Sequence, residues 1–421
     1  MRKSSRIGEF YKKNQQERLD LIRDFANLTN DELLLLRNLS LDFSVVSRLA
    51  ENVISVFPMP LGIATNFLIN QKDYLIPMVT EESSVIAAAS NAAKLARFLG
   101  GFISSASEPI MIGQIQLTKI PDFQKAKNVI DKNKQYLIDL ANLQDPILVE
   151  VGGGVVDLQI RELDTERGKM MIVHLLINVK DAMGANIVDT MLEAVAEKLE
   201  SLSGGTKLLR IVSNLATYRI AEAKATWSKE DLGEEVIENI LDAYAFAKAD
   251  FYRCATHNKG IMNGVDAVAI ATGNDFRAIE AGAHSFAALE NNYQPLTKYY
   301  KNENGDLVGE IKLPLPVGII GGSTQANKIS KICLKILDVR SAQELSGVIA
   351  SVGLAQNFAA LRALVCEGIQ AGHMKLHAKK VAINAGASNG HVDLIASRMV
   401  EEKNISIVRA KEILAILKEG K

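Results

Sequence analysis

The chain has 421 residues, 48% hydrophobic and 23% charged, and its 48 Lys and Arg stand against 49 Asp and Glu for a net charge of −1. That length allows about two or three domains and a large core without disulfide or metal staples. The charge balance excludes a polyanion binder that works by overall positive charge, so no nucleic-acid partner is expected. Aromatic residues make up only 5% with a single Trp, so aliphatic residues and Ala must fill the core. Cys254, Cys333 and Cys366 form no CxxC or zinc spacing, which fits a reducing compartment. Arg2, Lys3 and Arg6 lead into no apolar signal segment, and apolar runs such as 170–179 and 313–320 are too short to span a bilayer. The sequence therefore predicts a cytoplasmic protein with no membrane partner.

The first hundred residues read as helical. Asn30 caps a helix through Leu34, Leu35 and Leu36, and residues 81–98 are Ala-rich with apolar residues at helical spacing, stopped by Gly100 and Gly101. Between them, 51–70 is rich in Pro and Gly and poor in charge, an apolar loop expected to be held inside the structure. Residues 109–120 read as a strand and 123–143 as a helix. Residues 147–163 and 170–179 are β-rich about a polar turn at 164–168. A helix over 184–202 and a strand over 208–212 complete a β-α-β-β-α-β order, the split βαβ or ferredoxin-like pattern. A further strand over 218–227 stands outside that count. Helical character returns at 230–252, 276–291, 325–337 and 342–372, interrupted by a hairpin whose tight turn is Asn304-Gly305. The polar, helical tail 374–421, broken near 386–390, reads as a mobile flap.

Four segments carry possible chemistry. His257-Asn258-Lys259-Gly260-Ile261-Met262-Asn263-Gly264, followed by Thr272-Gly273-Asn274-Asp275, crowds polar groups among glycines that let backbone approach a ligand; Lys259 suits a developing oxyanion. The plainer reading is that Asn274 or Asp275 caps the next helix. Thr80-Glu81-Glu82-Ser83-Ser84 puts two acids at a helix mouth, either as simple dipole partners or as a proton donor. His373 and His377 share a helix face, open to a metal, to acid catalysis or to neither. No HExxH motif accompanies them, and no metal is expected. Asp181-Ala182-Met183-Gly184-Ala185-Asn186 joins a strand to a helix, whose N-terminus can receive a phosphate or carboxamide. Gly152-Gly153-Gly154 lacks the dinucleotide spacing, and there is no Walker A motif.

Taken together and in order, these segments resemble class II, bacterial-type 3-hydroxy-3-methylglutaryl-CoA (HMG-CoA) reductase from about Ile7 to the C-terminal segment. The carrying stretches are Glu51-Asn52-Val53-Ile54, PMVTEESSVIAAAS at 77–90, DAMGAN at 181–186, KGIMNG at 259–264, ATGNDFRAIEAGAH at 271–284, GLAQN at 353–357 and GHMKLH at 372–377. The resemblance implies an α+β fold: a large, mostly helical, discontinuous substrate domain (1–108 and 229–372), an inserted ferredoxin-like nucleotide-binding domain (109–228) and a C-terminal helical flap (373–421). It implies reduction of HMG-CoA to mevalonate and CoA by two hydrides from NADH or NADPH, or the reverse, with an aldehyde intermediate. Lys259 matches the family lysine on the carbonyl oxygen, Glu82 the proton donor to the aldehyde oxygen, Asp275 the aspartate that interacts with both, and His373 the acid for the CoA thiolate.

Further positions follow from the same resemblance. Ser84, Arg253, Asn263, Gln356 and Asn357 match positions for the hydroxymethylglutaryl group, where an Arg suits a free carboxylate. Asp181, Met183, Gly184, Ala185 and Asn186 match the nicotinamide turn, and Ser213 and Asn214 a second cofactor contact. Ser55 and Ser83 depart from the family's common Gly and Pro. Members form homodimers or larger assemblies with a shared active site. The competing readings are a catalytically inactive homologue that only binds CoA ligands, and a helical scaffold carrying a ferredoxin-like insert.

Overall fold

The computed structural model describes residues 4–37, 51–289, 292–322, 327–366, 378–402 and 404–419. The fold is mixed α/β, with two sheets. A strand arises where the sequence pattern suggested an apolar loop over 51–70: β1 (Leu61–Ile69) forms a hairpin with β2 (Lys72–Val79), which follows that stretch. Its turn residues Asn70 and Gln71 have φ of 48° and 64°, the backbone of a two-residue turn whose twist suits the flanking strands. Both strands are buried along most of their length, so the near-continuous apolar run that hid them is what a strand covered on both faces requires. Residues 51–60 are not held inside: Ile54 and Phe57 are 94% and 90% exposed in the single chain.

The other strands are β3 (Phe102–Ala106), β4 (Ile110–Thr118), β5 (Gly154–Thr165), β6 (Gly168–Asn178), β7 (Thr206–Val212), β8 (Ile220–Trp227), β9 (Thr297–Lys301) and β10 (Leu307–Pro314). One sheet has the order β2-β1-β3-β8-β10-β9 and the other β5-β6-β4-β7. In the four-stranded sheet every neighbouring pair is antiparallel. Strand β8 pairs with β3 and β10, so the strand left outside the β-α-β-β-α-β count returns the chain to the larger sheet. The β9–β10 hairpin turns where Asn304-Gly305 predicted it, with Gly305 at φ 83° and the Asn302 carboxamide oxygen accepting from the backbones of Asn304 and Asp306.

Several helix boundaries differ from the sequence pattern for local reasons. Thr29, not Asn30, caps Asn30–Arg37: its hydroxyl accepts from Glu32 N–H while Glu32 reaches back to Thr29 N–H. The stretch read as one helix over 123–143 splits into Phe123–Lys132 and Lys134–Asn142 at Asn133. The start of the expected strand at 147 is instead a helical turn, Pro146–Glu150, capped by Asp145 with Pro in the first turn, where its missing N–H costs nothing. The helix expected over 230–252 breaks at Gly233 and again at Asp250, which caps the next helix. The Lys328–Leu337 helix begins three residues later than the sequence suggested, and 323–326 fall outside the described residues.

Helices Val85–Ala96, Phe251–Ala271 and Ala342–Cys366 pack on the larger sheet. Their shared core is rich in buried Ala, as the scarcity of aromatics demanded, and Trp227 lies at its centre, stacked on Phe358 with ring centroids 3.9 Å apart. Ala342–Cys366 is longer than any apolar run read from the sequence and long enough to cross a membrane, but it is mostly buried inside the protein as a core helix. The four-stranded sheet has its own core against Ala185–Ser203 and the two helices before β5. Helices Asn389–Glu401 and Ile407–Glu419 share a third core with 378–385.

Candidate active site

The helix expected over 81–98 starts at Val85; Glu81 to Ser84 form the turn before it. Ser84 sits at φ 78°, an uncommon left-handed conformation for a residue with a side chain. Its hydroxyl turns back onto the Ser83 carbonyl, and Glu82 N–H donates to the Thr80 hydroxyl at 3.2 Å. The tight turn aims Glu82 at the helix Phe251–Ala271, where its Oε2 lies 3.3 Å from Lys259 Nζ. The two residues are 177 positions apart in the chain, and both side chains are open to solvent.

Lys259 does not sit in a glycine-loosened loop. All of 257–264 lies inside a 21-residue helix whose N-cap is Asp250. Helical spacing puts Asn263 four residues on, on the Lys259 side, while Cys254, His257, Asn258 and Ile261 face the core. Gly264 is where a backbone approaches closely, and what approaches is the helix Ala342–Cys366: a Cβ there would stand 3.0 Å from Gln356 Cβ and 3.1 Å from Val352 O. His257 is therefore a core residue. Its Nε2 lies 2.6 Å from the Thr297 hydroxyl, and burial holds its pKa down to about 3, so the ring is neutral.

Asp275 caps Phe276–Ala287, accepting from the N–H groups of Arg277 and Ala278, and its Oδ1 lies 3.3 Å from Arg277 Nε. The plain capping reading is thus realised at Asp275, with Asn274 doing something else. Among the described residues no ion pair joins Asp275 to Lys259 or Glu82. Arg253 is half-buried, burial lowers its pKa, and among the described residues no carboxylate pairs with it, so it remains available to an anionic group. Gln356 is buried with its Oε1 unpartnered. Asn357 is held wholly by protein: its oxygen accepts from the Thr297 and Tyr299 hydroxyls and its nitrogen donates to His257 O. His373 and His377 lie outside the described residues.

The Asp181–Asn186 segment forms the turn from β6 into the helix Ala185–Ser203. Gly184 has φ 102°, and a Cβ there would come within 2.7 Å of Val179 Cγ1, so the turn needs glycine. The first helical turn carries no acidic residue, leaving its free N–H groups unopposed for a negatively polarised ligand group, which fits the phosphate or carboxamide of a dinucleotide. Asp181 faces inward through its Oδ1, which accepts from Ala342 N–H at 2.8 Å. Ser213 and Asn214 follow β7; Ser213 N–H donates to Ile112 O, and Asn214 O lies against Gly282, where a Cβ would be 2.5 Å away.

Sequence patterns missed two groups here. Arg219 is buried and donates to the carbonyls of Ala182, Met183 and Val317, and burial pulls its pKa down to about 10. Asp266, seven residues past Lys259, meets Glu280 of the next helix, and Glu280 Oε2 lies 2.7 Å from His284 Nε2. Neither carries a motif; each is recognisable only once distant segments are brought together.

Comparison with known proteins identifies the family. The family model described as hydroxymethylglutaryl-coenzyme A reductase matches residues 14–378. A 3-hydroxy-3-methylglutaryl-coenzyme A reductase from Archaeoglobus fulgidus is 55% identical over 99% of this chain and 95% of its own length. A probable reductase of the same name from Borreliella burgdorferi is 37% identical over 88% of this chain and 85% of its own. Among solved structures, the class II enzyme from Streptococcus pneumoniae bound to NADPH in open conformations has a TM-score of 0.81 at 42% identity, covering 96% of this chain and 100% of that one. A second structure of the S. pneumoniae enzyme has a TM-score of 0.83 at 41% identity, covering 97% and 99%. The chain belongs to the hydroxymethylglutaryl-coenzyme A reductase family.

Proposed function

We propose that this chain reduces HMG-CoA to mevalonate and CoA with NADH or NADPH, or runs that reaction in reverse. The observation that carries the reading is the Glu82–Lys259 contact, an acid and a cation brought together from 177 residues apart at the surface of the larger unit. When bound, the nicotinamide supplies hydride. The chain's own groups handle charge and protons: Lys259 stabilises the thioester oxygen as negative charge develops there, and Glu82 gives a proton to the aldehyde oxygen. Asp275, fixed at a helix N-terminus, joins this pair when the site is assembled. His373 protonates the departing CoA thiolate.

Arg253, Asn263, Ser84 and Gln356 take the hydroxymethylglutaryl group, with Asn357 anchoring the helix beneath them. Asp181, Met183, Gly184, Ala185 and Asn186, with Ser213 and Asn214, take the dinucleotide.

The domain division follows the same reading. Residues 109–228 form the nucleotide-binding unit, supported by the β5-β6-β4-β7 order, which is that of the ferredoxin-like pattern, with β8 leading back to the larger unit. Residues 1–108 and 229–372 form the substrate unit and 373–421 the flap. A homodimer is favoured by the exposed apolar residues Ile54, Val56 and Phe57 and by the openness of Glu82 and Lys259 in one chain, since a partner would dry both. The three free cysteines fit a cytoplasmic enzyme. An inactive, ligand-binding homologue gains nothing from these observations.

The test is oxidation of NADH and NADPH by purified protein with HMG-CoA. The native chain turns over with at least one nucleotide, and Lys259→Ala, folded as judged by circular dichroism, loses about 10²–10³ in kcat. Near-native turnover in that variant would remove Lys259 from the mechanism.

A further inference from the structure

Arg219 places a guanidinium where burial is costly. It is only 4% exposed, and its hydrogen bonds go to carbonyl oxygens: Nη1 to Ala182 O at 3.2 Å and Met183 O at 3.0 Å, Nη2 to Val317 O at 2.5 Å. A buried charge is tolerated only when its donors are met, so the identity of those carbonyls indicates what the arginine is for. Two belong to the Asp181–Asn186 turn. The third belongs to the strap that follows β10.

The strap is held from its other side by Asn274. That side chain is 9% exposed and pairs with Gly318 as a backbone would: its oxygen accepts from Gly318 N–H at 2.8 Å and its nitrogen donates to Gly318 O at 3.1 Å. The strap also touches the turn directly. Ile319 N–H donates to Asp181 O at 2.9 Å, and Gly318 packs so closely that a Cβ on it would stand 2.5 Å from Met183 N. A continuous path of bonds therefore runs from Asp275 through Asn274, Gly318, Val317 and Arg219 to Met183. Because the peptide unit is planar and trans, pulling the Met183 carbonyl toward Arg219 turns the Gly184 N–H the opposite way. The arginine thus sets the orientation of the peptide that opens the Ala185–Ser203 helix.

We propose that Arg219 and Asn274 are positioning residues, which hold the dinucleotide turn in register with Asp275 through the strap at Val317 and Gly318. The inference rests on reading Asp181–Asn186 as the nicotinamide turn. A buried arginine with a purely structural role would weaken the whole chain and affect both ligands alike. A positioning role falls on one ligand.

The experiment measures dinucleotide affinity by calorimetry, and KM for HMG-CoA and for NADH or NADPH, on the full chain carrying Arg219→Met, Arg219→Lys, Asn274→Ala or Asn186→Ala. Folding is checked by circular dichroism. Arg219→Met is expected to weaken dinucleotide binding about tenfold or more while the KM for HMG-CoA moves by less than about twofold, and Arg219→Lys to recover part of the loss. Asn274→Ala is expected to lower kcat, since it frees the strap on the Asp275 side. A folded Arg219→Met protein with native dinucleotide affinity overturns the proposal. If Arg219→Met does not fold, Arg219→Lys decides by the same split, and equal changes in both KM values overturn it. Asn186→Ala reports on the underlying reading: native dinucleotide affinity there sinks that reading, whereas a loss there with none in the Arg219 variants sinks the positioning role alone.

Discussion

Asp266 and Glu280 put two carboxyl groups in contact between adjacent helices, with His284 on the far side of Glu280 and the Tyr293 hydroxyl 2.7 Å from His284 Nδ1. Burial, followed by the bond to Glu280, pushes the Asp266 carboxyl up to about 8, while the hydrogen bond from His284 keeps Glu280 below its usual value. The pair holds one proton between them, on the Asp266 side. The folded state binds that proton more tightly than the unfolded chain, whose Asp titrates near ~3.9. Stability from this source is complete below that pH, declines as pH rises and is gone above about 8. Asp266→Asn keeps a hydrogen-bond donor and removes the titration. Thermal melts at pH 5 and pH 8.5 should therefore lie closer together in the variant than in the native chain; an unchanged gap would mean the pair carries no linked proton. At this scale the sequence exposed the residues that match a motif, Glu82, Lys259 and Asp275, but neither Asp266 nor Arg219. Asp266 looks like any polar residue on a helix face, and its meaning depends on a carboxyl fourteen residues later across a turn. His257 shows the converse: it stands inside a motif-rich stretch yet serves the core, because its position on the helix, not its neighbours in sequence, sets where it points.

The helix Phe251–Ala271 has two interior glycines that weaken it by propensity, each by ~1 kcal/mol against Ala. Their surroundings differ. Gly264 lies under Gln356 and Val352, so any side chain meets packed atoms including backbone; at Gly260 the nearest atom to an added Cβ is Ala360 Cβ, at 4.0 Å. Gly264→Leu is expected to destabilise the protein by ~1–3 kcal/mol through overpacking. Gly260→Ala should stabilise it by ~0.5–1 kcal/mol. Urea unfolding of the two variants separates them, and opposite signs are the required result. The same contrast marks what is legible at the level of elements. Local signals such as the Asn304-Gly305 turn and the Gly100-Gly101 stop were readable because the cause lies within a few residues. Strands β1 and β2 were not, because covered strands lose the alternation that identifies them, and the short strand β3 is defined by pairing with β1 and β8, whose paired residues lie more than thirty positions away.

Across the whole molecule, the core of the C-terminal helices is separate from those of the two sheets, and among the described contacts Lys380 Nζ reaches back to Glu81 O at 3.4 Å, beside Glu82. Removing the chain after Cys366 therefore takes away the proposed flap, with His373 as its proposed acid for the CoA thiolate, without opening either sheet. The truncated protein is expected to fold and to bind NADH or NADPH, yet to lose HMG-CoA turnover by at least about 10²-fold, the scale of a lost acid catalyst. Retained turnover would place thiolate protonation elsewhere. The four-stranded sheet was easier to read than the six-stranded one, because its strands lie close together in sequence while the six-stranded sheet gathers strands from residue 61 to residue 314.

Trp227 gives that sheet an optical label of its own. It is the chain's single tryptophan, fully buried, stacked on Phe358, with its indole N–H donating to Ala92 O at 3.1 Å. Its ultraviolet emission should be blue-shifted in the native protein and move red only when the larger core opens, while the four-stranded sheet and the C-terminal helices stay dark at that wavelength. Melting followed by emission and by circular dichroism in parallel would then time the loss of one core against the loss of the rest.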